Sequence, residues 1–374
     1  MLYVFVPFFV AMLVTLVVVH SSRSHGHLSA DHDLSGPQKF HARPVPRIGG
    51  VGIFVGVLVC AGLLLWRHHP HAQIGLMLLA CSVPAFAAGL IEDFTKRVSP
   101  GKRLLATAVS ALLAAWWMGA LITRTDIPGM DWVVGTTLGA TLITVFVVSG
   151  VANSINIIDG FNGLSSMCVC LMLLAMAYVA FVVGDTALAL WALIAVGAVL
   201  GFFVWNFPGG MIFLGDGGAY FLGFFLGEIG VLLLSRNPEV SPLFPLMVCI
   251  YPVFETMFSI YRRRYIRSAP PGEPDGIHLH SLIYRRLMRW AIGAQDARLL
   301  TRRNSMTAPY LWTLCGSSLL PALLFWDSTP WLAACLLVFG VTYVRLYWRI
   351  VRFRTPQWMV FRQRAEQQRE HQHH

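Results

Sequence analysis

Asn153-Ser-Ile-Asn156-Ile-Ile-Asp159-Gly160-Phe-Asn162-Gly163-Leu164 sets four hydrogen-bonding side chains at every third position, between two segments apolar enough to dissolve in lipid. Polar and ionisable groups at membrane depth are costly, so their presence there points to a task. Asparagines can glue helices together in a bilayer. A packing stripe of that kind needs neither Asp159 nor Gly160 and Gly163, which open the backbone. The segment therefore reads as part of a site at the edge of a membrane. On a helix, steps of three place positions 153, 156, 159 and 162 on one slowly drifting face.

Working outward, the membrane reading holds for the whole chain. Of 374 residues, 56% are hydrophobic and 12% charged, with a mean hydropathy of +0.64. Soluble domains carry about 25% charged residues, twice this share. Positions 104–123, 132–158, 160–184, 186–215 and 304–326 hold no Asp, Glu, Lys or Arg. About 20 apolar residues cross a bilayer. The pattern predicts an all-α polytopic membrane protein with about eleven spans. They fall near 2–20, 48–66, 73–91, 104–122, 132–151, 164–183, 187–206, 218–234, 242–260, 309–326 and 331–348. The first span lacks a basic leader and an Ala-x-Ala cleavage site, which predicts a retained helix. All seven cysteines lie inside spans and show no metal or CxxC spacing, the mark of inert packing thiols.

Lys and Arg orient the chain. With the N-terminus outside, the inside loops and the tail hold 24 of them, and the outside loops hold 3 (Arg67, Arg124 and Arg236). That asymmetry predicts a periplasmic N-terminus, a cytoplasmic C-terminus and a multi-pass protein of the bacterial inner membrane. The net charge of +10 then suits anionic membrane lipid, with no nucleic acid needed as a partner. Residues 1–350 read as one integral membrane unit with inside loops at 21–48, 92–103, 152–163, 207–218 and 261–308. Residues 351–374 read as a basic cytoplasmic tail without fixed structure.

The outside connections are mostly short turns, whereas the inside ones carry every chemical constellation. A transporter places polar residues near the bilayer midplane, often in paired halves. Here only Glu228 and Glu255 lie well within spans, and no internal repeat is visible. The first inside loop ends Lys39-Phe-His41-Ala-Arg43-Pro-Val-Pro46-Arg47-Ile-Gly49-Gly50. Arg43 and Arg47 read as topology anchors, while Lys39 and His41 suit either an anchor or an anionic substrate. Glu92-Asp93 puts two carboxylates side by side at a helix C-terminus, where each is disfavoured by the other and by the helix dipole. Phe213-Leu214-Gly215-Asp216-Gly217-Gly218 opens a helix with glycines that let backbone amides approach an anion. Asp216 has the character of a Mg²⁺ ligand. In the last loop, Asp275 reads as a helix N-cap ahead of His278-Leu-His280-Ser281. Two histidines at that spacing do not suit zinc on a helix. Gly52/Gly56, Gly197/Gly201 and Gly223/Gly227 read as close helix contacts.

The order Lys-x-His…Pro-x-x-Gly-Gly, Glu-Asp, Asn-x-x-Asn-x-x-Asp-Gly-x-x-Gly-Leu, Gly-Asp-x-Gly and His-x-His resembles the polyprenyl-phosphate N-acetylhexosamine-1-phosphate transferases, glycosyltransferase family 4. The WecA-like branch fits better than the MraY branch. The resemblance runs from Lys39 to Ser281, and it implies transfer of a sugar-1-phosphate from a UDP-N-acetylhexosamine to a polyprenyl phosphate, with release of UMP. It implies Mg²⁺, with Mn²⁺ as a substitute. It also implies site roles. Glu92, Asp93 and Asp159 are catalytic. Asp216 binds metal. Asn153, Asn156, Asn162, His278 and His280 bind nucleotide and sugar. Lys39 falls near a phosphate-contacting lysine, and the charge needed at the interface makes Lys39, Lys102 and Arg103 the expected clamp for the lipid phosphate. Three departures stand out: Glu92 where Asp is usual, Asn162 where a second Asp is usual, and Ser281 where a further His is frequent. They point away from the peptidoglycan branch. The competing readings are a phospho-MurNAc-pentapeptide transferase and a non-enzymatic lipid-carrier translocase. The donor sugar, the downstream polymer and homodimer formation are not set by the sequence.

Overall fold

In lipid, every backbone polar group must be satisfied within the protein, and an apolar run of this length does so as a helix. The structure, a computed structural model, describes residues 2–29, 45–266, 277–288 and 297–352. Among them there is no β-strand. The helices are α1 (Leu2–Ser29), α2 (Gly50–Trp66), α3 (Ala72–Thr95), α4 (Pro100–Met118), α5 (Met130–Val134), α6 (Thr137–Ile158), α7 (Leu164–Val182), α8 (Thr186–Asn206), α9 (Gly215–Arg236), α10 (Leu243–Val248) and α11 (Ile250–Tyr261). Three more follow at Leu279–Leu282, Ala297–Leu324 and Thr329–Val351. Seven of these helices are long and apolar enough to cross a membrane, and the apolar α2 has 17 residues. The chain is an all-helical, polytopic membrane protein.

Helix α9 forms the centre. Every residue from Gly215 to Leu234 is buried, because α2, α3, α4, α6 and α7 surround it. Small residues allow this density. The two outer glycine pairs clasp α1. A Cβ on Gly56 would meet the Pro7 carbonyl oxygen at 2.8 Å, and one on Gly201 would meet that of Phe8 at 2.2 Å. The pairs expected to mediate close helix contact do so.

Three apolar segments differ in detail from the sequence expectation. The segment near 132–151 is two helices. They part at Gly135, and the Thr136 hydroxyl caps α6 by accepting from the Gly139 amide at 3.1 Å. The segment near 242–260 breaks at Cys249 between α10 and α11, flanked by Pro245 and Pro252, which cannot donate backbone hydrogen bonds. The segment near 309–326 starts earlier, at Ala297, inside the expected basic loop. Arg303 keeps those first turns in place by donating from Nε to the Tyr284 carbonyl at 2.9 Å.

The two ends of the bundle differ. Trp66, Trp116, Trp132 and Trp331 are exposed at one end, as aromatic belts are at a membrane–water boundary. Of the candidate site residues, those the structure describes lie at the other end.

Candidate active site

The site is built where α2, α4 and α9 begin and α3 and α6 end. Asp93, in the last turn of α3, is 1% exposed. Its Oδ1 accepts from the Asp216 amide and its Oδ2 from the Gly217 amide, both at 2.9 Å. A carboxylate disfavoured at its own helix C-terminus is thus stabilised at the N-terminus of another. This settles what the glycines around Asp216 do. Of the amides expected to cradle a ligand anion, those of Asp216 and Gly217 are taken by Asp93 and that of Gly215 by Asp159. Gly215 has φ +77°, and a Cβ there would lie 1.8 Å from the Arg47 carbonyl oxygen. A Cβ on Gly89 would lie 2.6 Å from the Asp216 backbone. The glycines admit neighbouring backbone.

The segment ahead of α2 is stitched to the segment ahead of α9. The Phe213 amide donates to the Pro46 carbonyl at 2.9 Å, and the Gly49 amide to the Phe213 carbonyl at 3.0 Å. That places Arg47 over Asp216. Asp216 Oδ1 accepts from Asn156 Nδ2 at 2.8 Å and lies 3.6 Å from Arg47 Nη2. Its Oδ2 pairs with Arg103 Nη1, from the first turn of α4. The Arg103 guanidinium lies 5.6 Å from the centroid of the Tyr220 ring, and the Tyr220 hydroxyl donates to Asn153 Oδ1 at 3.3 Å. Asn153 therefore reaches the cluster through Tyr220.

Helix α6 ends at Ile158, and Asp159 is its C-cap. Its carboxylate accepts from the Ser165 hydroxyl and the Gly215 amide. Loss of water around this carboxyl pushes its pKa up to about 6, against the pull of Ser165 and Arg47, and neighbouring Asp216 pushes the same way.

Other residues expected at the site lie elsewhere. Asn162 is beyond the end of α6, so the three-residue stripe does not continue to it. It is buried, its amide nitrogen Nδ2 donates to Ser305 Oγ at 3.0 Å, and its backbone amide donates to Asn304 Oδ1 at 2.8 Å. It ties the loop to the Ala297–Leu324 helix instead of facing the cluster. Glu92 turns back on its own loop, accepting from the Val98 amide at 2.6 Å. Lys102 is exposed. Lys39, His41, Arg43 and Asp275 lie outside the described residues. His278 and His280 are buried and stacked, ring centroids 5.1 Å apart. His280 packs edge-on against Phe161 at 5.4 Å, next to the Asp159–Gly163 loop.

Sequence reasoning assigned Arg47 to topology and missed Ser165 and Tyr220. For Arg47 a signal existed. It sits between Pro46 and Gly49-Gly50, where a turn fixes the direction of a side chain. Ser165 and Tyr220 give no such signal.

The donor set is one of hard oxygens: the carboxylates of Asp159 and Asp216 and the amide of Asn156. Among the described residues, no three His, Cys, Asp or Glu side chains stand close enough to hold a metal ion alone. Such a set fits Mg²⁺, which takes one or two protein carboxylates and fills its shell with water and substrate phosphate. Arg47 and Arg103 supply donors for a phosphate beside it.

The sequence model of glycosyl transferase family 4 matches residues 75–234, which contain Glu92, Asp93, Arg103, the 153–162 segment and Asp216. This part of the chain is similar to glycosyl transferase family 4. Curated relatives span most of the chain. A probable undecaprenyl-phosphate N-acetylglucosaminyl 1-phosphate transferase of Bacillus subtilis is 26% identical over 350 residues, 92% of this chain and 91% of that protein. The undecaprenyl-phosphate alpha-N-acetylglucosaminyl 1-phosphate transferase of Thermotoga maritima is 28% identical over 261 residues, 69% of this chain and 74% of that protein. The protein of that name in Escherichia coli K12 is 26% identical over 263 residues, 66% of this chain and 67% of that protein. The family match ends before His278, so the histidine pair rests on the geometry described above.

Proposed function

We propose that the protein transfers a HexNAc-1-phosphate from a UDP-sugar to undecaprenyl phosphate, giving the polyprenyl diphosphate-linked sugar and UMP. The names of the relatives supply the acceptor and favour N-acetylglucosamine as the sugar. The observation that carries the reading is the convergence of Asp93, Asp159 and Asp216 with Arg47 and Arg103 at one end of the bundle. Acids and guanidiniums from five helix ends are what two anionic reactants need in order to meet.

An oxygen of the lipid phosphate attacks the phosphorus that carries the sugar. The bond from that phosphorus to the bridging oxygen breaks, and UMP leaves with that oxygen. A phosphate monoester has a second pKa near 6, so at neutral pH the acceptor is largely deprotonated and needs little help from a base. Asp93 holds the start of α9 and so fixes Asp216. Arg47 and Arg103, which neutralise Asp216, have the charge and reach to turn to an arriving diphosphate. Asn156 keeps the Asp216 carboxylate turned toward α6. Bound Mg²⁺ supplies charge neutralisation at the diphosphate. Holding both reactants in one geometry lowers the barrier by several kcal/mol.

Eleven crossings, an outside N-terminus and a site at the cytoplasmic face of the inner membrane complete the reading. Its supports are the 24 to 3 split of Lys and Arg and the tryptophans at the end opposite the acids. A UDP-sugar is a cytoplasmic metabolite, which agrees. The lipid-linked product suits the start of cell-surface polysaccharide synthesis. The test is a donor panel: purified protein, undecaprenyl phosphate, Mg²⁺ and several UDP-sugars, scored by UMP. UMP release that requires both the lipid phosphate and a UDP-HexNAc is expected. No UMP from any donor overturns the reading.

A further inference from the structure

We infer that Glu255 is a positioning residue for the transfer, fixing the ring of His278 and, through it, the His278–His280 pair beside the Asp159–Gly163 loop; the inference rests on the proposed transferase activity. Glu255 lies on α11 and is 1% exposed, in a segment otherwise suited to lipid. A carboxylate in such surroundings is expensive unless hydrogen bonds compensate. Three do. Oε1 accepts from His278 Nδ1 at 3.1 Å and from the Leu279 amide at 3.0 Å, and Oε2 accepts from the Tyr343 hydroxyl at 2.6 Å. Three donors facing one carboxyl group is the arrangement an ionised acid asks for.

With Nδ1 donating to Glu255, the proton of a neutral His278 ring is assigned to Nδ1. Nε2 is then the ring nitrogen left for chemistry. A carboxylate behind a histidine fixes its tautomer and its orientation. The consequence runs on to His280, stacked on His278 with 17° between ring planes. A Cβ on Gly160 would lie 3.7 Å from His280 Nε2, so His280 stands against the residue that follows Asp159.

Plain anchoring of the backbone does not account for Glu255. Arg262 already ties this segment to the last helix, donating from Nη1 to the Ile277 carbonyl at 2.6 Å and to the Tyr347 hydroxyl. Glu255 adds a backbone anchor at the Leu279 amide and, beyond anchoring, a bond to the ring itself. Tyr343, from the Thr329–Val351 helix, completes the support.

The test is a double-mutant cycle on UMP release. Removing an outer partner of a functional histidine costs about 10–100-fold, so Glu255→Gln is expected to lower kcat by that factor while KM for the UDP-sugar moves less than about threefold. In a His278→Ala background the same substitution is expected to cost less than about threefold, because the group it acts through is gone. Equal losses in both backgrounds, or full activity in Glu255→Gln, overturn the inference. Should Glu255→Gln not fold, Tyr343→Phe carries the same cycle, with a smaller kcat loss that disappears in the His278→Ala background. Equal Tyr343→Phe losses in both backgrounds, or none in either, also overturn it. A readout independent of activity separates this inference from the transferase reading. In protein labelled with ¹⁵N-histidine, His278 is expected to show the Nδ1–H tautomer and to lose that preference in Glu255→Gln or Tyr343→Phe. An Nε2–H ring in the unaltered protein overturns the positioning role whatever the protein transfers.

Discussion

Asp185 and Asp216 sit at opposite ends of the bundle, each near the start of a helix and each paired with arginine. The resemblance stops there. Asp185 caps its own helix, accepting from the Leu188 amide at 3.1 Å, and its other oxygen takes Arg236 Nε at 3.1 Å and Asn237 Nδ2 at 3.4 Å. One donor belongs to its own helix and the other two to the end of α9, so Asp185 joins one helix start to one helix end. Asp216 does not cap α9, because Asp93 from α3 has taken that role. Its carboxylate is left to side chains from three other places in the chain, Arg47, Arg103 and Asn156. An acid whose helix is capped by a second acid is held for something other than folding.

The difference can be broken or sharpened by substitution. The largest effect is expected for Asp216→Asn, with UMP release falling by about 10³-fold, the scale of losing a main electrostatic group, while thermal stability in detergent changes little. Near-normal activity in that variant removes the distinction between the two aspartates. Asp93→Asn is expected next, with activity down about 100-fold. It should also lose about 1–2 kcal/mol of stability, because an amide accepts at only one of the two positions now used. A drop in kcat at unchanged melting temperature makes Asp93 a base and not a cap.

Asp159 gives a pH signature. With its carboxyl at about 6 in the folded protein, above the ordinary range, ionisation is unfavourable there. The sign follows: stability from this group is present at acid pH and is lost as pH rises through about 6. Activity that needs the ionised form rises over the same interval. The expected rate profile therefore has an acid limb centred near pH 6, moved to lower pH at saturating Mg²⁺. A flat profile from pH 5 to 7.5 removes Asp159 from the reaction. The smallest effect belongs to the other end: Asp185→Ala should cost about 1 kcal/mol as a lost cap and leave kcat within about twofold.

Much of the architecture was legible because apolar run length is a local property. Helices cover each apolar segment that the sequence marked. The breaks at Gly135 and Cys249 and the early start at Ala297 were not legible, since composition averages over them. At the site, Asp93, Asn156, Asp159, Asp216 and Arg103 were marked from the sequence, and the structure brings them together. Their pairings were not marked, because a hydrogen bond between residues 93 and 216 leaves no periodicity. Asn162 is marked by the same pattern and stands apart from the cluster. It keeps the period, but the helix ends four residues before it. Glu255 was visible as an acid in an apolar span. Its partner lies 23 residues on, beyond a loop, and only the fold joins them.

The central claim is that one membrane face gathers these acids. Single cysteines at Arg97, Gly160 and Met211, exposed positions around the cluster, and at Trp132 and Asp327 at the opposite end, can be labelled in sealed, oriented vesicles with an impermeant maleimide. The native cysteines are buried apart from the half-buried Cys335, which is replaced by serine. The account predicts that 97, 160 and 211 react from the cytoplasmic side only, and 132 and 327 from the outer side only. Reaction of 97, 160 and 211 from different sides contradicts it.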